Sequence, residues 1–434
     1  MSTMIKTGGN SNWDIIEGLL KDIKIPRFAK VKQVFAVHAA ANIEAEILKQ
    51  IQEKKLFASL KKGMRIAIAV GSRGIANLPM AVKVLGRELR AAGAEPFMVP
   101  AMGSHGGATA EGQADMLRNL GFREEEMGMP IVSGMDVVEL GKTKSGLPVL
   151  CDKNAFEADG IIITNRIKPH ISFHGPYECG LMKMLVIGLG KQKGADYAHN
   201  LGFGKMHENI PEIGLEIIKK TKLLFAVGFL EDAFHDTHEV VLLRPDEIES
   251  EEPKLLNKAR ELCPKLHFET LDTLIIDEIG KHISGSGFDT NVVGRYHSSW
   301  ISGGPKITRV LILDISDMSK GNGTGLGIAD FTTRRAAEKF DFAQTYPNSL
   351  TSTLTGGVKI PMVFPNDRLA IQSCIKTSNL EDWTQARMVR IRNTLCLTEI
   401  EVSENMLPSL KGDPNFEVLS KPYELPFNAE GNLF

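Results

Sequence analysis

At 434 residues the chain has room for two or three domains. Its 51 basic and 53 acidic side chains leave a net charge of −2, which gives no electrostatic reason to expect a nucleic-acid partner. No apolar run approaches the ~18–20 residues that span a bilayer, and Lys6 is followed by polar Thr7-Gly8-Gly9-Asn10 rather than by a signal-peptide core. Five scattered cysteines with no CxxC pair speak against a zinc ribbon or a disulfide scaffold, so a cytoplasmic protein with no membrane partner is expected.

The segment up to Pro26 reads as an arm packed on the body, because Trp13, Ile15, Ile16, Leu19 and Leu20 have helical spacing. A β-loop-α unit follows. Met64–Val70 is a short apolar run, as in a strand buried on both faces, and Gly71-Ser72-Arg73-Gly74 is its loop. Asn77 stands where an N-cap would, and Leu78, Ala81, Val82, Leu85 and Leu89 form one helical face. The pattern returns with an extended run over 96–101, the loop Gly103-Ser104-His105-Gly106-Gly107, and a helix capped by Thr109 and running to Leu120. Further strands are predicted at 160–164 and 223–227, with 239–243 as a hairpin partner. The acidic stretch 246–252 and the helix after it read as a surface connection. A second αβ body begins at Thr273–Asp277, with another buried strand at 309–313, and a Pro- and Gly-bearing tail from Leu407 wraps back over the body. The expected class is α/β: two domains with parallel or mixed sheets flanked by helices. The expected division is 1–268, with the tail 402–434 packed back on it, and 269–401.

The chemistry concentrates in the first body. His105, His170, His174, His199 and His207 fall in one quarter of the chain. Arg73 and His105 lie just after predicted strands, where open parallel sheets form their ligand crevice. The segment 164–191 opens with cations and imidazoles (Arg166, Lys168, His170, His174) and closes on an apolar stretch that contains Lys183. A lysine among Leu181, Met182, Met184 and Leu185 is expected to be desolvated, which lowers its pKa and makes its amine a nucleophile or attachment point; a snorkelling lysine on a helix rim fits the same pattern. His199 follows Lys183 by 16 residues, after the Gly188-Leu189-Gly190 turn, and neutral imidazole is a ligand that nickel and zinc both accept. The loop Gly321–Gly327 matches neither nucleotide fingerprint; it reads as a plain turn or as a helix N-terminus near an anion. His235 and His238, beside Asp232 and Asp236, read as a polar hairpin end.

In these residues the sequence resembles the lactate racemase family, whose members use a nickel-pincer nucleotide. The resemblance rests on four features in order: the arginine loop, the glycine-Ser-histidine loop, the Pro169-His170 motif, and Lys183 followed by His199. It implies two α/β domains with the active site in the cleft between them, and a pyridinium mononucleotide joined to Lys183 as a thioamide, with nickel held partly by His199. It also implies His105 and His170 as paired acid/base residues and Arg73 on the substrate carboxylate. Ser72, His174, Gly188 and Gly190 are the further candidates for cofactor binding, and Arg295, His297, Arg166 and Lys168 those for substrate. The implied reaction is racemisation or epimerisation of a 2-hydroxy acid by reversible hydride transfer, and cofactor-making proteins are transient partners. The chain departs from lactate-specific members in three places. Val70 stands where they have an aspartate, the stretch before the lysine is longer and offers His174 as a second acid/base candidate, and in segment 287–297 Gly294 and His297 fall nearest a glutamine and a lysine. A larger polar 2-hydroxy acid, such as a sugar acid or a dicarboxylate, is therefore expected. Two other readings fit the residues: a zinc-dependent lyase or hydrolase using His105, His170 and His199, and a nucleotide- or nickel-binding protein without turnover.

Overall fold

The computed structural model describes residues 13–36, 40 and 42–434; the start of the expected arm, 1–12, lies outside them. The chain divides into two compact units, one of Ala36–Cys263 and one that joins Met1–Phe35 to Pro264–Phe434. The expected division is corrected by strand pairing. After the helix Asp14–Leu20, strand β1 (Phe28–Gln33) aligns Val31 with Ile400 and with Val418, so the arm and the tail build one sheet with the C-terminal part rather than covering the first body.

The Ala36–Cys263 unit is built on β2 (Arg65–Val70), β3 (Glu95–Pro100), β6 (Gly160–Arg166), β7 (Leu223–Glu231) and β8 (Thr237–Leu243), with β4 (Val137–Lys142) and β5 (Pro148–Asp152) forming a separate hairpin. The sheet order is β3-β2-β6-β7-β8, parallel except for the β7–β8 hairpin. Central β2 is apolar throughout because it has sheet neighbours on both edges and helices over its side chains; Ile66, Ile68 and Val70 pack with Val82, Leu85 and Leu89 of the helix Leu78–Ala91. The helix starts where the sequence predicts, but not by the expected cap: Asn77 has φ +62° and its amide bonds Thr237 Oγ1 at 3.0 Å. Thr109 does cap its helix, accepting from the Gly112 N–H at 3.1 Å.

The other unit carries an eight-stranded sheet. It contains β9 (Thr270–Ile279), β10 (Lys306–Ile315), β11 (Phe331–Thr333), β12 (Met362–Phe364), β13 (Met388–Ile391), β14 (Glu399–Ser403) and β15 (Phe416–Val418), in the order β12-β11-β10-β9-β13-β14-β1-β15. The five strands from β12 to β13 are parallel, and the remaining pairings are antiparallel. The Gly321–Gly327 loop leads into a single 3-10 turn, Leu326–Ile328, and then β11, so the expected helix N-terminus is absent there. No helix of the described residues is long and apolar enough to cross a membrane.

Candidate functional site

Parallel strands of the Ala36–Cys263 unit deliver the candidate residues at their carboxyl ends. After β2, Arg73 reaches solvent and has no ion-pair partner among the described residues. Crowding around its guanidinium, and then the neighbouring Arg166, lower its pKa from the ordinary arginine value. After β3, the loop folds back so that Ser72 Oγ and His105 Nδ1 lie 2.5 Å apart. After β6, Asn165 Nδ2 donates to the Gly180 carbonyl at 2.7 Å and so ties the strand end to the start of the lysine turn. The loops after β2 and β3 converge on that turn as well: a Cβ on Gly71 would meet Met184 Cε at 3.1 Å, and one on Gly103 would meet Ile187 and Ala195 at 3.3 Å.

The loop between Lys168 and Cys179 is closed by paired backbone bonds of 2.8 and 3.2 Å. Glu178, 1% exposed, organises it. Its carboxylate receives the N–H groups of His170 (2.6 Å) and Gly175 (3.0 Å), His174 Nδ1 (3.1 Å) and Arg260 (2.6 Å). Burial alone would raise the Glu178 pKa, but the bonds from His174 and the backbone outweigh it and hold the group below the usual carboxyl range. His174 is thus fastened to a structural carboxylate. His170 is 9% exposed and lies with ring centroids 4.4 Å from Phe173 and 5.9 Å from Phe203; its Nδ1 accepts from the Ser172 N–H at 3.0 Å.

Lys183 ends a helical turn, Leu181–Lys183, which widens to π geometry over Met184–Gly188, a feature that recurs at functional sites. The lysine is half-buried, and its Nζ lies 3.7 Å from Cys179 Sγ. His199, on the helix Lys191–Asn200, packs 5.6 Å from the Phe203 ring. Burial, and then the charge of nearby Lys183, push its pKa down to about 4, so the imidazole is neutral. Its Nδ1 is buried and has no hydrogen-bond partner. A neutral imidazole with a buried, unbonded nitrogen beside a primary amine is a donor set suited to one metal bond and one covalent attachment. By contrast, no group of three or more His, Cys, Asp or Glu among the described residues is arranged to hold a metal ion, whereas a protein-bound zinc needs three.

Other candidates prove to be occupied. The Arg166 guanidinium pairs with Glu231. Arg295 donates to Asp330 (3.0 Å) and to the carbonyls of Ile307 and Thr308 (3.1 and 2.7 Å), which makes it a brace within its own unit. His297, in that unit, is neutral because burial, and then Lys281, push its pKa to about 4. Packing leaves no room for a side chain at Gly188 and Gly190, where Cβ atoms would meet Met184 Sδ at 2.5 Å and the Val186 carbonyl at 2.2 Å.

Three further groups near the site are not candidates in the sequence. Lys191 is fully buried and reaches Asp152 (3.1 Å), the Pro100 carbonyl (2.5 Å) and Gln113 Oε1 (3.0 Å), while Gln113 Nε2 holds the carbonyls of Gly103 and His105 at 2.8 and 3.2 Å. His235 has φ +64° and a buried, unpartnered Nε2, and Arg166 and Lys168 are near enough for their charges to act on it. Glu252, on the helix expected to be a surface connection, is buried and accepts from the Met182 N–H at 2.9 Å, so it caps the lysine turn. Its other oxygen has no partner, and burial pushes its carboxyl up to about 7. An acid with a raised pKa binds more protons folded than unfolded, so stability falls as pH rises from the ordinary carboxyl range to about 7 and stays reduced above it. Glu252→Gln should abolish that slope and raise the midpoint of urea unfolding above pH 7; an unchanged pH profile would remove Glu252 from this role.

Residues 20–210 match the family described as the lactate racemase N-terminal domain. Over this segment, somewhat under half of the chain, the sequence is similar to the lactate racemase family. The lactate racemase apoprotein from Thermoanaerobacterium thermosaccharolyticum has a similar fold, with a TM-score of 0.50 at 12% identity over 83% of this chain and 93% of that one. No curated protein matches the chain in sequence. The family match spans Arg73, His105, His170, Lys183 and His199.

Proposed function

We propose that this chain is a member of the lactate racemase family and a racemase or epimerase acting on a 2-hydroxy acid. The observation that carries the reading is the convergence of Lys183 and His199. Burial, and then the charge of the Lys183 amine, lower the imidazole's pKa, and its Nδ1 is buried without a hydrogen-bond partner. Lys183 would tether the nickel-pincer nucleotide and His199 would hold its metal. When bound, that cofactor supplies a reversible acceptor for hydride from the hydroxyl-bearing carbon. The protein does the rest. Arg73, free of any carboxylate among the described residues, is suited to bind the substrate carboxylate through two parallel N–H bonds. The 2.5 Å Ser72–His105 bond orients an imidazole that can take the hydroxyl proton. The Phe173 and Phe203 rings beside His170 and His199 keep water from that side of the site.

Lactate need not be the substrate, because Val70 replaces the aspartate of lactate-specific members. The expectation of a larger polar 2-hydroxy acid concerns Arg166, Lys168, Arg295 and His297, of which Arg166 and Arg295 pair with Glu231 and Asp330. The test is a panel of chiral 2-hydroxy acids, deuterated at the hydroxyl-bearing carbon, given to protein co-expressed with cofactor-making partners. Inversion with deuterium retained is the expected result, with a sugar acid or dicarboxylate preferred. Deuterium washed out to solvent would mean proton abstraction instead. Nickel bound without inversion of any acid would leave a binding protein.

A further inference from the structure

We propose that Lys191 and Gln113 are positioning residues for the reaction, a buried clamp that holds the His105 loop to the element carrying Lys183 and His199. This rests on the racemase reading and adds what sets the spacing of its groups.

Lys191 stands where the lysine turn passes into the helix Lys191–Asn200, which bears His199. Two features make it a costly residue there. Its φ is +54°, a left-handed conformation uncommon outside glycine, and its ammonium is fully buried. Contacts from three separate segments hold it. The ammonium meets the Pro100 carbonyl at the end of β3 (2.5 Å), Gln113 Oε1 on the helix Ala110–Asn119 (3.0 Å) and Asp152 at the end of β5 (3.1 Å). An ammonium has three hydrogens and no lone pair, so these three oxygens use all it can offer.

The same rule fixes the next link. A group that only donates turns the oxygen of the Gln113 amide toward itself. The amide nitrogen then faces the other way, where the carbonyls of Gly103 and His105 lie at 2.8 and 3.2 Å and take its two hydrogens. Carbonyls only accept, so a flipped amide would fail at both ends. Lys191 thus orients the amide, and the amide grips the loop by the backbone on either side of Ser104. The loop is seated on the lysine turn as well. Gly103 N–H donates to the Gly188 carbonyl at 3.4 Å, and a Cβ on Gly103 would come within 3.3 Å of Ile187 and Ala195. One buried cation therefore ties the backbone of His105 to the start of the helix that presents His199. Reacting groups held from different segments are sensitive to such ties, since a displacement of about 1 Å can cost about 10²-fold in rate.

The test uses two variants that break the clamp without stranding a charge. Lys191→Met combined with Asp152→Asn removes both members of the ion pair, and Gln113→Leu keeps the pair but releases the loop. Each is co-expressed with cofactor-making partners. Intact mass and metal analysis should show the adduct and nickel as in the parent, because Lys183 and His199 are untouched. The kcat should fall by about 10–10²-fold for both antipodes with KM close to the parent's, as for groups displaced by about an ångström. In cofactor-free protein labelled with ¹⁵N-histidine, the His105 ring signals, assigned by their loss in His105→Gln, should move in both variants. Parental kcat or unmoved His105 signals would overturn the clamp. So would nickel and adduct lost in step with kcat, since the effect would then lie in cofactor attachment. A nickel-loaded parent that inverts no 2-hydroxy acid would end the racemase reading, and the ring signals alone would then decide whether Lys191 and Gln113 hold the His105 loop.

Discussion

Lys191→Met should destabilise the protein by about 3–5 kcal/mol, the usual consequence of leaving one partner of a buried ion pair alone. Lys191 and Asp152 are both 0% exposed and stand 3.1 Å apart. Burial pushes the lysine down and the carboxyl up in pKa, against the pull each exerts on the other. Methionine fills the same space but leaves an uncompensated carboxylate, and it strips a donor from the Pro100 carbonyl and from Gln113. Against a typical total of about 5–15 kcal/mol the loss is large, and urea unfolding will show it. It should shrink as pH falls, because a protonated Asp152 carries no charge to strand. Adding Asp152→Asn to Lys191→Met should recover most of it, since the amide oxygen can still accept the Ala155 N–H that Asp152 caps at 2.8 Å. A Lys191→Met protein within about 0.5 kcal/mol of the parent would show that the pair does not stabilise the fold.

Lys183→Ala should abolish the covalent adduct, and with it all inversion of substrate, while the fold survives. The side chain is half-buried and makes no ion pair among the described residues, its one close polar contact being Cys179 Sγ at 3.7 Å, so stability should change by about 1 kcal/mol or less. Lys183→Arg is the sharper variant. It keeps the positive charge beside His199 but lacks a primary amine, so intact mass should show no adduct there either. His199→Ala should behave in the opposite way, keeping the organic adduct while losing nickel, as read by intact mass and metal analysis of one preparation. An adduct that persists in Lys183→Ala would move the attachment point, and nickel retained in His199→Ala would remove the imidazole as its ligand.

What the sequence determined by itself is what local pattern can carry. Short apolar runs marked β2, β6, β7, β9 and β10 as strands, and β2 as one buried on both faces, because such a strand does not alternate polar and apolar residues. Loop position then placed Arg73 and His105 at strand ends, and the apolar setting of Lys183 singled that lysine out. The rest depends on contacts between residues far apart in the chain. The register of Phe28 with Ser403 draws the N-terminal arm into the C-terminal sheet, and no periodicity near residue 28 records that partner. Glu252 stands in an acidic run beside Glu251, yet one is buried against the Met182 N–H and the other pairs with Lys254 at 2.7 Å. Arg166 and Arg295 look like free cations until the fold brings Glu231 and Asp330 to them. Ion pairing and desolvation act over a few ångströms of space, whatever the separation along the chain, so only the tertiary structure could decide which charges are left for a ligand.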